Sequence, residues 1–290
     1  MKSALVYYAS IYTLKIILGG IIMRKIHKVW LVGPETKLGQ AILISLDQKF
    51  INTLSTSIED VDVNVIDEAL AFCYLNQPDA IINCYDFNDI DECEKNPEKA
   101  YKINAIVARN LAICSRKIGA RFIHLSTDNV FGLESDTPYT EFDEPNATSV
   151  YGKSKLEGEK FVRDLSQKYF IVRTGYVYDK QHNYIDNNYD SSRKICPTST
   201  SELAKFIVML MNTPEYGVYH AHSRGYCTRL EFISKLEEYT PEKINFNEKN
   251  EKSEKSEIKN IQLDDFMLRV SNLYEFPTWE EDILNSIKNK

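Results

Sequence analysis

The chain has 290 residues, of which 43% are hydrophobic, enough for one large α/β domain with an additional lobe. Its formal net charge of −7 leaves no basic excess to displace counterions from a phosphate backbone, which excludes nucleic acid as the main partner. The six cysteines are irregularly spaced with no Cys-x-x-Cys pair, so they read as free thiols in a reducing, cytoplasmic setting rather than as a disulfide framework.

Residues 4–22 are mostly apolar and interrupted by Lys15, close to the roughly 20 residues that span a bilayer. No small-x-small cleavage site is evident. Three readings stand: an upstream extension ahead of a start at Met23, a membrane anchor or uncleaved signal, or an extra packed helix. A membrane is a partner only if the segment is a real anchor. Val29–Val32 then reads as a buried strand, 37–49 as a helix, 51–56 as a strand and 66–75 as a helix. A strand follows at 80–83, one long helix over 97–118 ended by Gly119, a strand at 121–125, a helix over 151–167 and a strand at 169–173. This alternation predicts a doubly wound parallel sheet, the Rossmann type of α/β fold. Beyond it, 179–193 reads as a polar loop, 201–211 as a helix, 218–221 as a strand and 228–238 as a helix. The charged run 245–260 reads as a solvated loop and 280–288 as a terminal helix. His220 and His222 alternate as on one strand face. No carboxylate or cysteine stands at a matching short spacing, so no metal site is expected. The division that follows is an extension at 1–22, a dinucleotide-binding domain at 23–178, and a smaller substrate lobe at 179–290 that also contributes to the core.

Two motifs carry chemistry. Tyr151 and Lys155 lie four apart on a helix, which puts a phenol and an ammonium on one face. The ammonium is expected to favour the phenolate, bringing the tyrosine's pKa below its ordinary value of about 10. The first strand–helix turn, Gly33-Pro-Glu-Thr-Lys-Leu-Gly39, has the outer glycines of a dinucleotide loop, with Thr36 where the middle glycine is expected. Neither an acid nor an arginine ends the second strand, so NAD and NADP are not distinguished.

Together these stretches resemble the extended short-chain dehydrogenase/reductases, and within them the dTDP-4-dehydrorhamnose reductase family. The likeness is carried by the 33–39 loop, Asp62-Val-Asn, Pro78-Asp-Ala-Ile-Ile-Asn83, Ile103-Asn-Ala105 and Ser126-Thr-Asp-Asn-Val-Phe131. Pro138-Tyr-Thr-Glu141, Tyr151-Gly-Lys-Ser-Lys155, Arg173-Thr-Gly-Tyr-Val-Tyr178, Pro197-Thr198, Gly217-Val-Tyr-His220 and Phe276-Pro-Thr-Trp279 extend it in the family's order. The resemblance implies reduction of a nucleotide-linked 4-keto-6-deoxysugar by NADPH or NADH, with Thr127, Tyr151 and Lys155 catalytic. It implies coenzyme contacts from Gly33, Thr36, Lys37, Leu38, Gly39, Asp62, Val63, Tyr85, Tyr151 and Lys155. Substrate contacts fall to Asp128, Asn129 and Pro197, and a homodimer is an open alternative to a monomer. The chain departs from the family at Thr36, at Cys84-Tyr85-Asp86 in place of small residues, at Asn129 and at Ile195, and it is shorter between Asn183 and Pro197. These departures motivate the alternative of a non-catalytic binding or regulatory protein, like the regulatory subunit of methionine adenosyltransferase.

Overall fold

Val29, Trp30 and Leu31 have no exposed surface, and they form the middle of strand β1 (Lys28–Val32). The computed structural model describes residues 25–135, 137–179, 194–239 and 260–288, together with the backbone of 17–18 and 21–22. Most of segment 4–22, the 180–193 part of the polar loop and 245–259 of the charged run lie outside the described residues. Around β1 the chain adds β2 (Asn52–Thr56), β3 (Ala80–Asn83), β4 (Arg121–Thr127), β5 (Tyr169–Thr174) and β6 (Gly217–His220). They form one parallel sheet in the order β2-β1-β3-β4-β5-β6. Continuous apolar runs are what a parallel sheet covered on both faces requires, and β3 and β4 are buried at every position.

The chain leaves β1 toward β2 on one side and returns to β3 on the other. The strand order therefore reverses at β1, and a crevice opens beyond the carboxyl ends of β1 and β3. One face is covered by α1 (Lys37–Asp47) and α6 (Thr200–Leu210), with Ile42, Leu46, Leu203 and Phe206 in the core. The other is covered by α2 (Ile66–Asn76), α4 (Val107–Ile118) and α5 (Val150–Leu165), with Cys73, Leu111 and Val162 buried. The sheet's last strand comes from the C-terminal part of the chain. A smaller cluster of Tyr178, Ile195, Phe232, Trp279 and Ile283 joins the helices α7 (Arg229–Glu237) and α9 (Trp279–Lys288). Beneath it the buried Asp282 accepts from Ser199 and Ser223 hydroxyls at 2.6 and 2.9 Å. Among the described residues no helix is long and apolar enough to cross a membrane.

Three details differ from the reading of the sequence. The expected helix over 97–118 contains a π turn at Lys102–Ile106, between Pro97–Tyr101 and α4. Two short helices escaped the periodicity, α3 (Ile90–Lys95) and α8 (Phe266–Ser271), each only six residues long. The first is started by Asp89, whose carboxylate accepts from the Glu92 amide at 2.9 Å.

A buried ion pair ties three elements together under the sheet's carboxyl end. Glu159 on α5 accepts from Arg173 Nε and Nη2 on β5 at 2.8 and 2.7 Å, from Ser126 Oγ on β4 at 2.6 Å, and from Arg163 at 2.7 Å. Glu159 is wholly buried and Arg173 nearly so. Removing one partner leaves the other charge uncompensated, so Glu159→Ala is expected to cost about 3–5 kcal/mol of stability by urea denaturation. A loss below about 1 kcal/mol, the range of an exposed pair, would contradict this.

Candidate active site

Helix α5 starts at Ser149, whose hydroxyl accepts from the Gly152 amide at 3.0 Å. Gly152 lets this first turn approach the end of β4, since a Cβ there would stand 2.1 Å from the Asn129 carbonyl oxygen. The approach sets Tyr151 beside Thr127. One turn on, Lys155 is 2% exposed, and its Nζ donates to the Leu125 carbonyl at 2.7 Å. Thr127 Oγ1 donates to Asp128 Oδ1 at 3.0 Å and accepts from the Asn129 amide and side chain, both at 3.1 Å.

The structure brings Asp86 onto this pair. Tyr151 donates its hydroxyl hydrogen to Asp86 Oδ2 at 3.1 Å, and Lys155 Nζ lies 3.3 Å from Asp86 Oδ1. Asp86 is held by the loop around it. Asn104, in the π turn, accepts from the Phe87 amide at 2.9 Å and donates to the Phe87 carbonyl at 3.0 Å and to Ser154 Oγ at 2.9 Å. A π turn displaces one residue from the regular helical register and is frequent at functional sites. Here it aims a buried amide at the loop that carries Asp86. The expectation that Lys155 brings the phenol's pKa down is corrected by this arrangement. Burial pushes the Tyr151 phenol well above its ordinary value, the Asp86 charge adds to the rise, and the Thr127 hydroxyl opposes it. Tyr151 is therefore a neutral donor.

Gly33 has φ of 82°, and a Cβ on it would lie 2.7 Å from the Tyr85 amide nitrogen. Glycine at 33 thus lets the turn between β1 and α1 pack directly on the backbone of the loop after β3. Thr36 is the N-cap of α1: its Oγ1 accepts from the buried Gly39 amide at 3.0 Å and donates to the Gly33 carbonyl at 2.9 Å. Lys37 pairs with Asp179 at 2.6 Å, and Leu38 packs partly buried against the core under α1. On the far rim, Asp62 accepts from the Asn64 amide and side chain at 3.0 Å. Asn110 holds the segment by donating to the Val63 and Asn64 carbonyls at 3.0 and 2.9 Å. Val63 is buried, and Tyr85 packs partly buried against the same apolar cluster, where burial and then the Glu35 and Asp62 charges raise its phenol's pKa. No acid lies in β2, in keeping with the reading of the sequence, and the nearest are in the turn that follows. Asp60 turns back so that its carboxylate accepts from the Ser57 amide and hydroxyl at 2.8 and 2.9 Å. The turn at Gly33 keeps the glycines of a dinucleotide loop at 33 and 39, while Thr36 and Lys37 are engaged by partners within the protein.

Next to Tyr151 lies a cavity of about 190 Å³. Thr127, Asp128, Asn129 and Tyr151 line one side, and Tyr176, Ile195, Cys196, His222 and Leu263 the other. Pro197 is buried behind this wall, outside the cavity lining. Cys196 Sγ donates to the Ser223 carbonyl at 2.6 Å and lies 3.2 Å from His222 Nδ1. Burial holds the thiol well above its ordinary pKa, so it is un-ionised. Neither Cys196 nor His222 was expected at the site. The strand-face alternation of His220 and His222 was the available signal, and the structure sends His220 instead to Arg173 and the Asp264 carbonyl.

Comparison with known proteins agrees with this geometry. The family model of the RmlD substrate binding domain matches residues 27–290. The spore coat polysaccharide biosynthesis protein SpsK of Bacillus subtilis is 35% identical over 174 residues, 56% of this chain and 61% of that protein. A Mycolicibacterium smegmatis dTDP-4-dehydrorhamnose reductase is matched over 46% of its length, so the chain aligns with less than two thirds of these relatives. Two solved structures match over more of their length. A dTDP-4-dehydrorhamnose reductase of Clostridium acetobutylicum has 30% identity and a TM-score of 0.82, covering 90% of this chain and 98% of that one. The Bacillus anthracis dTDP-4-dehydrorhamnose reductase in complex with NADP has 29% identity and a TM-score of 0.83, covering 92% and 99%. With 264 of its residues inside the family match and its Thr127–Tyr151–Lys155 arrangement on a doubly wound sheet, the chain belongs to the RmlD substrate binding domain family of the extended short-chain dehydrogenase/reductases.

Proposed function

We propose that the protein reduces a nucleotide-linked 4-keto-6-deoxysugar with NADPH or NADH, as dTDP-4-dehydrorhamnose reductases do. The observation that carries this reading is the placement of the Thr127 hydroxyl and a buried, neutral Tyr151 phenol on the wall of one cavity, with Lys155 fixed one turn away. A bound reduced nicotinamide would supply hydride to the ketone carbon. Gly33, Leu38, Gly39 and the first turn of α1 would hold its pyrophosphate, and Asp62 and Val63 would lie toward its adenine. The relative solved with NADP supports that choice of coenzyme.

The chain's own groups then handle charge and protons. Thr127 orients the ketone oxygen, and Tyr151 Oη gives its proton to the oxygen as negative charge develops on it. Asp128 and Asn129, from the turn after β4, position the sugar, and Pro197 supports the facing wall. A phenol whose pKa is raised is protonated throughout the neutral range, which suits the reductive direction and makes Tyr151 a poor base for the reverse one. Specific features favour a second reading, a regulatory protein that binds without turnover. Thr36 already caps α1, Lys37 is paired with Asp179, and Asp86 sits on the Tyr151–Lys155 pair.

Titration with NADPH and with NADH, read by energy transfer from the tryptophans, separates the two. The reductase reading predicts a dissociation constant below about 1 mM for at least one coenzyme. Absence of binding by both would remove it. With coenzyme and a dTDP-4-keto-6-deoxysugar present, Tyr151→Phe should lower turnover by about 10²–10⁴-fold while leaving coenzyme affinity unchanged. Undiminished turnover would contradict the role given to Tyr151.

A further inference from the structure

The loop after β3 places the Asp86 carboxylate on the Tyr151–Lys155 pair. Asp86 meets three conditions for a proton-transfer group at once. One oxygen accepts the Tyr151 hydroxyl at 3.1 Å, so a proton can pass between them without rearrangement of the backbone. The other lies 3.3 Å from the Lys155 ammonium, which stabilises the carboxylate once the proton has left. Its side chain is 24% exposed, whereas Tyr151 and Lys155 are 6% and 2% exposed, so among the three Asp86 has the most contact with water. Asn104 fixes the loop through both the amide and the carbonyl of Phe87, next in sequence to Asp86.

We infer that Asp86 is the group that resupplies the Tyr151 proton from solvent, making a relay from water through Asp86 and Tyr151 to the substrate oxygen. The inference rests on the reductase reading above. The step balances as follows. With a reduced nicotinamide bound to supply hydride to the ketone carbon, the ketone oxygen would take the Tyr151 Oη proton. Asp86, the carboxylate that accepts from Tyr151 at rest, would take a proton from water on its open side as charge develops on the phenolate and pass it to Tyr151 Oη, so the phenol is restored within the same turnover. Asp86 is then again the carboxylate beside Lys155 with which the cycle began. The relay also resolves a difficulty of charge. A phenolate next to an ionised Asp86 would place two negative charges within hydrogen-bond distance in a buried site, with one ammonium to offset them. Proton uptake through Asp86 removes that state as it forms. Among the described residues, the thiols Cys84, on the same loop, and Cys93, on α3, also feel the Asp86 charge and are un-ionised, and Glu35, Asp89, Glu92 and Glu94 act on the same thiols. Burial pushes Cys84 above its ordinary range and Cys93 up to about 11. Asp128, from the turn after β4, adds to the rise at Tyr151.

The test compares Asp86→Ala, Asp86→Asn and the unaltered protein in coenzyme binding, turnover across pH, and turnover with added formate. The expected result is a loss of turnover of about 10²-fold in both variants, with coenzyme affinity unchanged. Formate, a small carboxylic acid able to enter the space left by the side chain, should restore turnover to Asp86→Ala but not to Asp86→Asn, whose amide fills that space. A merely structural role would not be rescued in this way. A second readout needs no coenzyme. The phenolate absorbance assigned to Tyr151, isolated from the chain's 18 tyrosines by difference against Tyr151→Phe, should appear at lower pH in Asp86→Ala than in the parent. Turnover in Asp86→Ala equal to or above the parent's would overturn the relay and make Asp86 an obstruction. Reduced turnover without formate rescue, or a phenol that titrates identically in both proteins, would overturn it as well. An unaltered protein that binds coenzyme but never oxidises it would instead sink the reductase reading, and the relay with it.

Discussion

An ammonium that is 2% exposed must find acceptors within the protein, and Lys155 finds two: the Leu125 carbonyl and the Asp86 carboxylate. The carbonyl ties α5 to β4, and the carboxylate ties α5 to the loop after β3. Since Tyr151 lies one helical turn before Lys155, fixing the lysine also fixes the phenol over the end of the sheet. The Glu159–Arg173 pair, one turn further along α5, repeats the logic by joining the same helix to β5. Two buried charges on one helix, each neutralised by a different element, make the register of α5 against the sheet hard to change. The site therefore inherits its geometry from charge compensation more than from apolar packing. Its small apolar surroundings, Cys93, Ala100 and Phe87, exclude water from the phenol without setting its position.

The same compensation explains why the departures from the family do not leave the fold strained. Thr36 satisfies the Gly39 amide that a helix start leaves open. Lys37 finds Asp179, and Tyr85 adds its ring to the apolar cluster around Trp30 and Val63. Asp86 is the exception in kind, because its partners are the reacting groups themselves. Tyr151, Lys155 and Asp86 thus form one hydrogen-bonded and ion-paired cluster.

The sheet was legible because parallel strands buried on both faces are written as apolar runs: Val29–Val32, Ala80–Ile82 and Phe122–Leu125 can hardly be anything else. Helices with long apolar faces and clear ends, such as α4 with Gly119 at its C-cap, were legible for the same reason. The π turn was not, because a single-residue shift of register inside a helix leaves the apolar pattern almost intact. Helix α3 was missed because six residues, four of them charged, carry no periodic signal. At the site, Thr127, Tyr151 and Lys155 could be named from a motif. Asp86 stands out in the sequence as part of a departure from the family, but its hydrogen bond does not, since nothing local predicts that a residue 65 positions away meets Tyr151. The same separation hid Asn110, which fixes the Asp62–Val63 segment from 46 and 47 residues away. The direction of the Tyr151 shift was misjudged because the helix supplied an ammonium as neighbour while burial and Asp86, both tertiary facts, outweigh it.

The central claim is that this groove transfers hydride to a sugar ketone with Tyr151 as the acid. The most direct measurement follows the label itself. The protein is incubated with nicotinamide coenzyme deuterated at the transferable position and a dTDP-4-keto-6-deoxysugar, and the sugar product is analysed by mass spectrometry and NMR. The account predicts one deuterium on the former ketone carbon, with the Tyr151→Phe variant forming about 10²–10⁴-fold less of the labelled product in the same time. A sugar recovered without deuterium, from protein shown to hold both ligands, would contradict it.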